Sequence, residues 1–404
     1  MKTALFGAVL FLGGFMFELA NRMQNFHASV FYNLNEEKQQ YEKKTGKSTI
    51  DFSIGSPNIP CDPIIMKTMA EAVQKPENYK YAIHELPEIK EAIQEWYKNR
   101  YNVQLETNEI ALLQGSQEAL SNLPLVFCNP NDGVLVPDPY YPVYVDAPRW
   151  AGADIIYMPL KEENEYLIDF SAITEEERQK AKMMIVCYPN NPTCAIAPDS
   201  FYLDLIQFAK ENNILVIHDN AYSELVFDGK MGKSFLSYPH AKEVGVELNS
   251  FSKTYGMAGA RLGVLVGNAE VIEKYKMLKS NMDYGIFLPV QYAGIEALKK
   301  GGKSIESTRN QYQHRRDVMV QAFHEAGWDL KASPATMFIW AKIPDSYEDS
   351  LVFSKDLLKK TGIVVTPGES FGSQGKRYVR IALVQDEDAI LEAAQRLKVS
   401  KLFG

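Results

Sequence analysis

The sequence is organised around the stretch SFSKTYGMAGARLG, which runs from Ser250 to Gly263. It places Lys253 among small hydroxyl residues and glycines, and Arg261 follows eight positions later. A lysine that forms a Schiff base must lose its proton, and a partly desolvated pocket favours that loss. Hydroxyls and an arginine fork suit a bound phosphate. Taken alone, the stretch is equally compatible with a surface lysine in a Ser/Gly loop.

Outward from this stretch, seven short apolar segments are predicted to be strands, and helical segments lie among them. The predicted strands are Ile110–Leu113, Gly133–Val136, Asp154–Met158, Met183–Cys187, Ile214–His218, Val246–Asn249 and Gly263–Val266. Strands that alternate with helices indicate an α/β sheet that is mostly parallel. Helical periodicity also predicts helices over Pro63–Gln74 and Pro87–Tyr101.

Length and composition limit the possible functions. A chain of 404 residues exceeds the usual size of one core, so two domains are expected. A net charge of −8 argues against nucleic acid or an anionic membrane as a partner. The four cysteines form no C-x-x-C pair and no metal-ligand spacing, which predicts a cytoplasmic protein without a metal site.

The N-terminus carries an apolar run from Ala4 to Phe17. This run is shorter than the roughly 20 residues that a membrane-spanning helix requires. It has the shape of a short signal segment, but no small-residue cleavage site follows it. We therefore expect residues 1–15 to be an apolar extension, with Met16 a candidate natural start. Residues 16–60 are predicted to form an arm that joins the small domain.

Two further positions have polar residues at predicted strand ends. Gly115-Ser116-Gln117 lies where a strand turns into a helix, and backbone N–H groups at a helix N-terminus can bind an anion. An ordinary helix cap explains the serine equally simply. Asp219 ends a buried strand, where a carboxylate is costly unless it is paired. A protonated ring nitrogen is one suitable partner, and a cap on the next helix is the alternative.

The stretch around Lys253 resembles the lysine signature of the fold-type I, pyridoxal-phosphate-dependent aminotransferases of class I/II. Other segments resemble further motifs of the same family in the same order: Gly115–Leu120, Asp138–Tyr144, Tyr188–Thr193, Ile217–Tyr222 and Arg377–Leu383. The resemblance covers the chain from about Met16 onward. It implies a large cofactor-binding domain over residues 61–300, with a mostly parallel seven-stranded sheet, and a smaller α+β domain over 301–404.

The resemblance also implies roles for individual residues. The implied catalytic residues are Lys253, Asp219 and Tyr222. The implied contacts to pyridoxal phosphate are these three together with Ser116, Gln117, Tyr141, Asn191, Ser250, Ser252, Arg261 and, from a partner subunit, Tyr81. The implied substrate contacts are Gly55, Asn191 and Arg380, with Arg380 on the α-carboxylate.

The chain departs from the family pattern at three positions. Cys194 stands where glycine is usual, and we expect it to alter the turn and to bring a thiol near the site. Glu85 also replaces a usual glycine, and the spacing there is one residue short, so Tyr79 stays an alternative to Tyr81. Ala260 stands where related enzymes often carry tryptophan.

The resemblance implies a ping-pong transfer of an amino group between an L-amino acid and a 2-oxo acid. The motifs look most like those of LL-diaminopimelate aminotransferases, and aspartate or glutamate is an alternative type of substrate. A homodimer with shared active sites is expected, with neither nucleic acid nor membrane as partner. The remaining alternative is a carbon–sulfur β-lyase, which uses the same lysine but releases ammonia and pyruvate.

Overall fold

The computed structural model of the protein describes residues 20–23 and 30–403. The α-helices in these residues are α1 Val30–Thr45, α2 Pro63–Val73, α3 Pro87–Tyr101, α4 Ser116–Phe127, α5 Val143–Trp150, α6 Glu175–Lys180, α7 Asp199–Asn212, α8 Ala241–Val244, α9 Phe251–Thr254, α10 Ala269–Lys279, α11 Leu288–Lys300, α12 Gly302–Glu325, α13 Ser350–Thr361 and α14 Glu387–Ser400. The strands are β1 Ile50–Asp51, β2 Ile110–Leu113, β3 Gly133–Asp138, β4 Asp154–Pro159, β5 Ala181–Val186, β6 Leu215–Asp219, β7 Gly245–Ser250, β8 Gly263–Gly267, β9 Phe338–Lys342, β10 Ile363–Val364, β11 Thr366–Pro367 and β12 Tyr378–Ala382.

The largest sheet has seven strands in the order β2-β8-β7-β6-β5-β3-β4. Strand β8 runs antiparallel to both of its neighbours, and the other strands run parallel to one another. The mostly parallel seven-stranded sheet predicted from the sequence is therefore confirmed. Every residue of β3 and β7 is buried, as expected for a sheet that is covered on both faces.

Successive strand residues point to opposite sides of the sheet, so buried apolar strands give it two apolar faces. Helices cover both of these faces. Apolar residues of α4, α5 and α10 pack on one face, where Ile217 of β6 contributes to the core. Apolar residues of α3, α7 and α11 pack on the other face with Val216, the preceding residue of β6. The alternation places Asp219 on the first of these faces and His218 on the second.

A second region contains two small sheets. Strands β11, β12 and β9 form an antiparallel sheet, and β1 pairs in parallel with β10 through Ile50 and Ile363. A separate apolar core joins these strands to α12, α13 and α14. Strand β1 thus ties the beginning of the described chain to its last third. The predicted domain limits, at residues 60/61 and 300/301, stay predictions.

The observed elements differ from the predicted ones mainly at their ends. Strand β6 extends one residue further than predicted, so that Asp219 is its last residue, and β7 extends to Ser250. The predicted apolar extension, residues 1–15, lies outside the described residues. Within the residues that the structure describes, every helix is too short or too polar to cross a membrane.

Candidate active site

A cavity of about 400 Å³ lies at the edge of the large sheet where the parallel strands end. Strands β3, β6 and β7 all deliver their last residues to this edge. In α/β sheets, ligands bind outside the carboxyl ends of the strands. The second region closes the cavity with Gly55, which follows β1, and with Arg380 of β12.

The cavity brings together nearly all of the site residues predicted from the sequence. Its lining includes Gly55, Ser116, Gln117, Tyr141, Asn191, Asp219, Tyr222, Ser250, Ser252, Lys253, Arg261 and Arg380. Tyr81 is the exception, since it is 75% exposed and its ring lies 5.0 Å from that of Tyr284 outside the cavity. Tyr79 is also exposed, and its hydroxyl donates to the carbonyl of Val73.

Lys253 lies in α9, a single helical turn that directly follows β7. Its Nζ donates a hydrogen bond to the carbonyl oxygen of Gly55 at 3.1 Å. Burial, with the positive charges of Arg380 and Arg261 nearby, lowers the pKa of Lys253 to about 8. A lysine with this pKa is partly deprotonated near neutral pH, so it can act as a nucleophile or as a base.

Asp219 is buried at the end of β6. Its Oδ2 accepts a hydrogen bond from the hydroxyl of Tyr144 at 2.6 Å, whereas its Oδ1 is buried without a partner among the described residues. Burial raises the pKa of Asp219, and the bond from Tyr144 opposes that rise. Because Asp219 lines the cavity, a ligand that donates a proton is a suitable partner for Oδ1.

One part of the cavity, formed by the Gly115-Ser116 turn, Ser250, Ser252 and Arg261, is arranged to hold an anion, and we call it the anion cradle. Helix α4 begins at Ser116 there, with its unpaired N–H groups and the positive end of its dipole. The hydroxyls of Ser250 and Ser252 and the guanidinium of Arg261 line the same cavity. Gly115 has a φ of 79°, and a Cβ at that position would lie 2.3 Å from Nη2 of Arg261. Glycine is therefore what allows this guanidinium to lie against the turn.

Arg380 is buried, with only 3% of its surface exposed. Its Nη1 donates to Oδ1 of Asn191 at 3.0 Å and its Nη2 to the carbonyl of Ser53 at 3.3 Å, while its Nε has no partner. Its guanidinium lies 4.2 and 4.5 Å from the ring centroids of Phe338 and Phe371. No described carboxylate pairs with it, and burial lowers the pKa of Arg380 to about 10. A buried, unpaired guanidinium is a receptor for a carboxylate ligand.

The aromatic hydroxyls of the cavity stay protonated at neutral pH. Burial raises the pKa of Tyr222 well above its ordinary value, and it also raises the pKa of Tyr141. The hydroxyl of Tyr141 donates to Oε1 of Gln117 at 3.1 Å. Tyr222 and the side-chain amide of Asn191 are therefore available as hydrogen-bond donors to an oxygen of a ligand.

Sequence reasoning missed several residues of the lining. Tyr144 belongs to a motif that we singled out, but nothing local connects it with Asp219, which is 75 positions later. Ile54, Phe338 and Phe371 also line the cavity. These three apolar residues look like ordinary core positions, and no sequence signal could have distinguished them.

Cys194 is buried and does not itself line the cavity, but its thiol lies near the site as expected, within electrostatic range of Arg380. Its Sγ donates to the carbonyl of Phe338 at 3.2 Å and accepts from the hydroxyl of Thr336 at 3.2 Å. Its φ of 65° lies in the left-handed region that favours glycine. The turn nevertheless closes, because the N–H of Cys194 donates to the carbonyl of Asn190 at 2.9 Å.

The cavity therefore combines a partly deprotonated lysine, an anion cradle, a half-satisfied carboxylate and an unpaired guanidinium. Such a set suits a ring ligand with a phosphate at one end and a basic nitrogen, bound beside a substrate carboxylate. Within residues 20–23 and 30–403, no three His, Cys, Asp or Glu side chains are grouped so that they could hold a metal ion.

Comparison with known proteins shows which family the chain resembles. Residues 47–397 match the model of the family described as aminotransferase class I and II. An LL-diaminopimelate aminotransferase from Halothermothrix orenii is 43% identical over 387 residues, which cover 95% of this chain and 99% of the relative.

Solved structures agree with the sequence comparison. The apo structure of BacF from Bacillus subtilis has a TM-score of 0.92 and 38% identity, and the match covers 96% of this chain and 99% of that chain. An aminotransferase from Staphylococcus aureus has a TM-score of 0.88 and 31% identity, with coverage of 96% and 100%.

Proposed function

Because the chain belongs to the class I and II aminotransferase family, we propose that it uses the cavity to transfer the amino group of LL-diaminopimelate to a 2-oxo acid. Membership makes the chain a pyridoxal-phosphate-dependent aminotransferase, so its substrates are amino acids and 2-oxo acids. The choice of LL-diaminopimelate and the roles of single residues are the proposal. The observation that carries it is Arg380, a buried guanidinium without a carboxylate partner among the described residues.

The side chains of the cavity fit pyridoxal phosphate. The unpartnered Oδ1 of Asp219 matches a protonated ring nitrogen, and the cradle at Gly115 and Arg261 matches a phosphate. When bound, the cofactor supplies the carbonyl that takes up the amino group and a ring that accepts electrons. Asp219 keeps the ring nitrogen protonated, and Tyr222 and Asn191 donate to the ring oxygen.

Lys253 holds the cofactor covalently and then moves the proton of the substrate. Its pKa of about 8 leaves a useful fraction of the amine free at neutral pH. Nζ of Lys253 would act as the base that takes the proton from the α-carbon of the substrate and then, as an ammonium, as the acid that delivers it to the acceptor carbon. The carbonyl of Gly55, 3.1 Å from Nζ, holds this amine in the cavity.

Arg380 orients the substrate by its α-carboxylate. The guanidinium is fixed between two phenylalanine rings and by the bond to Asn191, so little further side-chain entropy is lost on binding. Its planar fork gives two parallel hydrogen bonds, which set the direction of the α-carbon–hydrogen bond relative to the ring. This makes the enzyme selective for amino acids over simple amines.

The charges of the cavity favour LL-diaminopimelate over aspartate or glutamate. Among the described residues, the cations that line the cavity are Lys253, Arg261 and Arg380. Lys253 is assigned to the cofactor and the α-proton, Arg261 to the phosphate and Arg380 to the α-carboxylate. Among the described residues that line the cavity, no fourth cation is available to the second carboxylate of aspartate or glutamate. LL-diaminopimelate carries an ammonium next to its second carboxylate and therefore compensates that charge itself. The relatives named LL-diaminopimelate aminotransferases also favour transamination over the β-lyase alternative.

We also propose a cytoplasmic homodimer in which Tyr81 of one copy reaches the phosphate of the other. Exposed aromatic residues support this, since Tyr81 lies against Tyr284, and Tyr79 lies 5.4 Å from Phe287. Exposed apolar clusters of this kind mark interaction surfaces. The cluster adjoins the anion cradle, because Asp283, next to Tyr284, accepts a hydrogen bond from Gln114.

A donor screen tests the proposed substrate. The holoenzyme is mixed with single amino acids, and the conversion of the cofactor to its amine form is followed by absorbance without any oxo acid. LL-diaminopimelate should convert the cofactor with the highest second-order rate constant, and aspartate and glutamate should react more slowly. Faster conversion by either dicarboxylic acid would contradict the substrate assignment. Stoichiometric release of ammonia and pyruvate from a cysteine-type donor would favour the β-lyase.

Mixed variants test the shared site. Lys253→Ala and Tyr81→Phe proteins, each of low activity, should regain activity when they are unfolded, mixed and refolded together, because a hybrid dimer contains one intact site. The matching mixture of Lys253→Ala with Tyr79→Phe reports whether Tyr79 holds this position instead. A monomeric protein by light scattering at assay concentration would contradict the dimer.

A further inference from the structure

We propose that Tyr144 is a positioning residue for Asp219, whose hydroxyl holds one carboxylate oxygen and so aims the other at the ring nitrogen of the cofactor. The inference rests on the proposed function, in which Asp219 pairs with that nitrogen. The two carboxylate oxygens of Asp219 differ in their hydrogen bonds. Oδ2 accepts from the hydroxyl of Tyr144 at 2.6 Å, and Oδ1 has no partner among the described residues.

The tyrosine is held rigidly enough for this task. Tyr144 lies in α5, is almost completely buried, and its ring packs edge-on against that of Tyr141 at 5.8 Å between centroids. A tyrosine side chain has two rotatable bonds before the ring, so packing of the ring fixes the hydroxyl. The carboxylate of Asp219 cannot turn about its last bond without breaking this hydrogen bond. Tyr144 is the side chain that donates to this carboxylate, and the backbone N–H of Ala221 also stabilises it.

The same hydrogen bond decides where the shared proton lies. A hydroxyl that donates to a carboxylate stabilises the anion and lowers its basicity. Burial raises the pKa of Asp219, and the bond from Tyr144 is the first of the effects that oppose it. A less basic carboxylate leaves the proton on the ring nitrogen, which makes the ring a better electron acceptor. The other titratable groups near Asp219 are Lys253, Tyr141, Tyr222, Cys187 and, on the other face of the sheet, His218; of these, Cys187 also bonds to the Tyr144 hydroxyl and loses that contact in the variant.

The chain offers a matched control on the other face of the sheet. Tyr97 is fully buried, and its hydroxyl donates to Oε1 of Glu247 at 3.0 Å. Glu247 is not part of the cavity lining. Tyr97→Phe therefore removes the same kind of hydrogen bond, from a buried tyrosine to a buried carboxylate, without touching Asp219.

The test compares full-length Tyr144→Phe, Tyr97→Phe and wild-type proteins. The pKa of the Asp219 carboxyl is measured by ¹³C NMR after removal of the cofactor, and kcat and KM are measured on the holoenzyme across pH. Tyr144→Phe should raise the pKa of Asp219 by at least about one unit and lower kcat about 10- to 100-fold, with KM for the donor within about threefold. Tyr97→Phe should leave the pKa of Asp219 and kcat unchanged. An unchanged pKa in Tyr144→Phe, or an equal shift in both variants, would overturn the inference.

Two further measurements keep the inference separate from the proposed function. If Asp219→Ala turns over at the wild-type rate, the proposed role of Asp219 itself fails. If Asp219→Ala is slow but Tyr144→Phe is as fast as wild type, only the inference about Tyr144 fails. Should Tyr144→Phe not fold, 3-fluorotyrosine at position 144 keeps the shape and makes the hydroxyl a stronger donor. The pKa of Asp219 should then fall below its wild-type value, and an unchanged or higher pKa would overturn the inference.

Discussion

Two carboxylates are buried on neighbouring strands of the large sheet, on opposite faces, and they differ in whether their hydrogen bonds are complete. Glu247 of β7 has both oxygens satisfied, whereas Asp219 of β6 has one oxygen satisfied and one bare. The groups that donate to Glu247 are the hydroxyls of Tyr97 and Ser234 and the backbone N–H of Phe235. His218 Nδ1 also lies 3.2 Å from Oε2 of Glu247.

Two buried arginines repeat the contrast. Arg316 is 4% exposed and binds both oxygens of Asp228 at 2.7 and 2.8 Å, with a further bond to the carbonyl of Ser333. Arg380 is as deeply buried, binds no described carboxylate and leaves its Nε without a partner. Each guanidinium lies over a phenylalanine ring, so aromatic contact does not explain the difference.

Burial alone therefore does not identify a functional group in this protein. A buried ion whose partners are complete, such as Glu247 or Arg316, stabilises the fold. A buried ion whose partners are incomplete, such as Asp219 or Arg380, is left for a ligand to complete. The predictions below substitute one member of each pair and use the other as its control.

The largest difference is expected between Asp219→Ala and Glu247→Ala. Loss of a buried charged partner costs about 2–5 kcal/mol, which corresponds to roughly a 30- to 5,000-fold loss of kcat/KM for Asp219→Ala. The same kind of loss in Glu247→Ala should appear as a lower free energy of unfolding, because three donors lose their acceptor. Steady-state kinetics and urea unfolding of both variants check this. A Glu247→Ala protein of normal stability and low kcat would contradict the assignment of Glu247 to the stability of the fold.

Arg380→Lys should have the next largest effect. Lysine keeps the charge but lacks the planar fork, so kcat/KM for the best donor should fall by about 2–3 kcal/mol, or roughly 30- to 150-fold, with normal cofactor binding. Arg316→Lys should lower the stability by about 1–3 kcal/mol and leave kcat/KM within twofold. An Arg380→Lys enzyme within about threefold of wild type would mean that another group holds the carboxylate.

A smaller effect is expected from two glycines with positive φ. Gly115 and Gly229 have φ of 79° and 72°, so alanine should cost each about 1–2 kcal/mol of stability. A Cβ at Gly115 meets Arg261, while a Cβ at Gly229 meets nothing within 4 Å. Gly115→Ala alone should therefore weaken the binding of pyridoxal phosphate, by about tenfold, in a titration of cofactor-free protein. Equal affinities in the two variants would contradict the anion cradle.

The smallest effect concerns pH. The lowered pKa of Lys253, about 8, means that its amine is mostly protonated below pH 8 and mostly free above it. The rate at which cofactor-free protein attaches pyridoxal phosphate should therefore rise through a midpoint near pH 8. Arg380→Gln removes a positive neighbour and should move this midpoint upward, by less than about one unit. Arg377→Gln serves as a control from the same stretch of chain, and an equal shift there would exclude a local charge effect.

Most of the site residues predicted from the sequence line one cavity because they follow strands. Apolar runs that end in Asp219 or in Ser250 indicate both the strand and the edge of the sheet to which it delivers the next residues. Parallel strands bring such ends together, so the cavity could be expected before its geometry was known. The confirmed seven-stranded sheet follows from the same pattern.

The rest of the site could not be predicted because it depends on contacts between distant residues. Phe338 and Phe371 enclose Arg380 only because the three-stranded sheet of β11, β12 and β9 lies over the cavity. The bond from Tyr144 to Asp219 spans 75 positions, and no spacing rule connects the two. Whether the hydrogen bonds of a buried carboxylate are complete, as for Glu247, or incomplete, as for Asp219, is likewise visible only in three dimensions.

The sharpest check on the role assigned to Lys253 is the attachment site of the cofactor. The purified holoenzyme is reduced with borohydride, digested and mapped by mass spectrometry. The account predicts that the reduced pyridoxal phosphate label lies on Lys253, in the peptide that contains residues 250–261. A label on another lysine, such as Lys299, or a stoichiometrically loaded enzyme without label on Lys253, would contradict it.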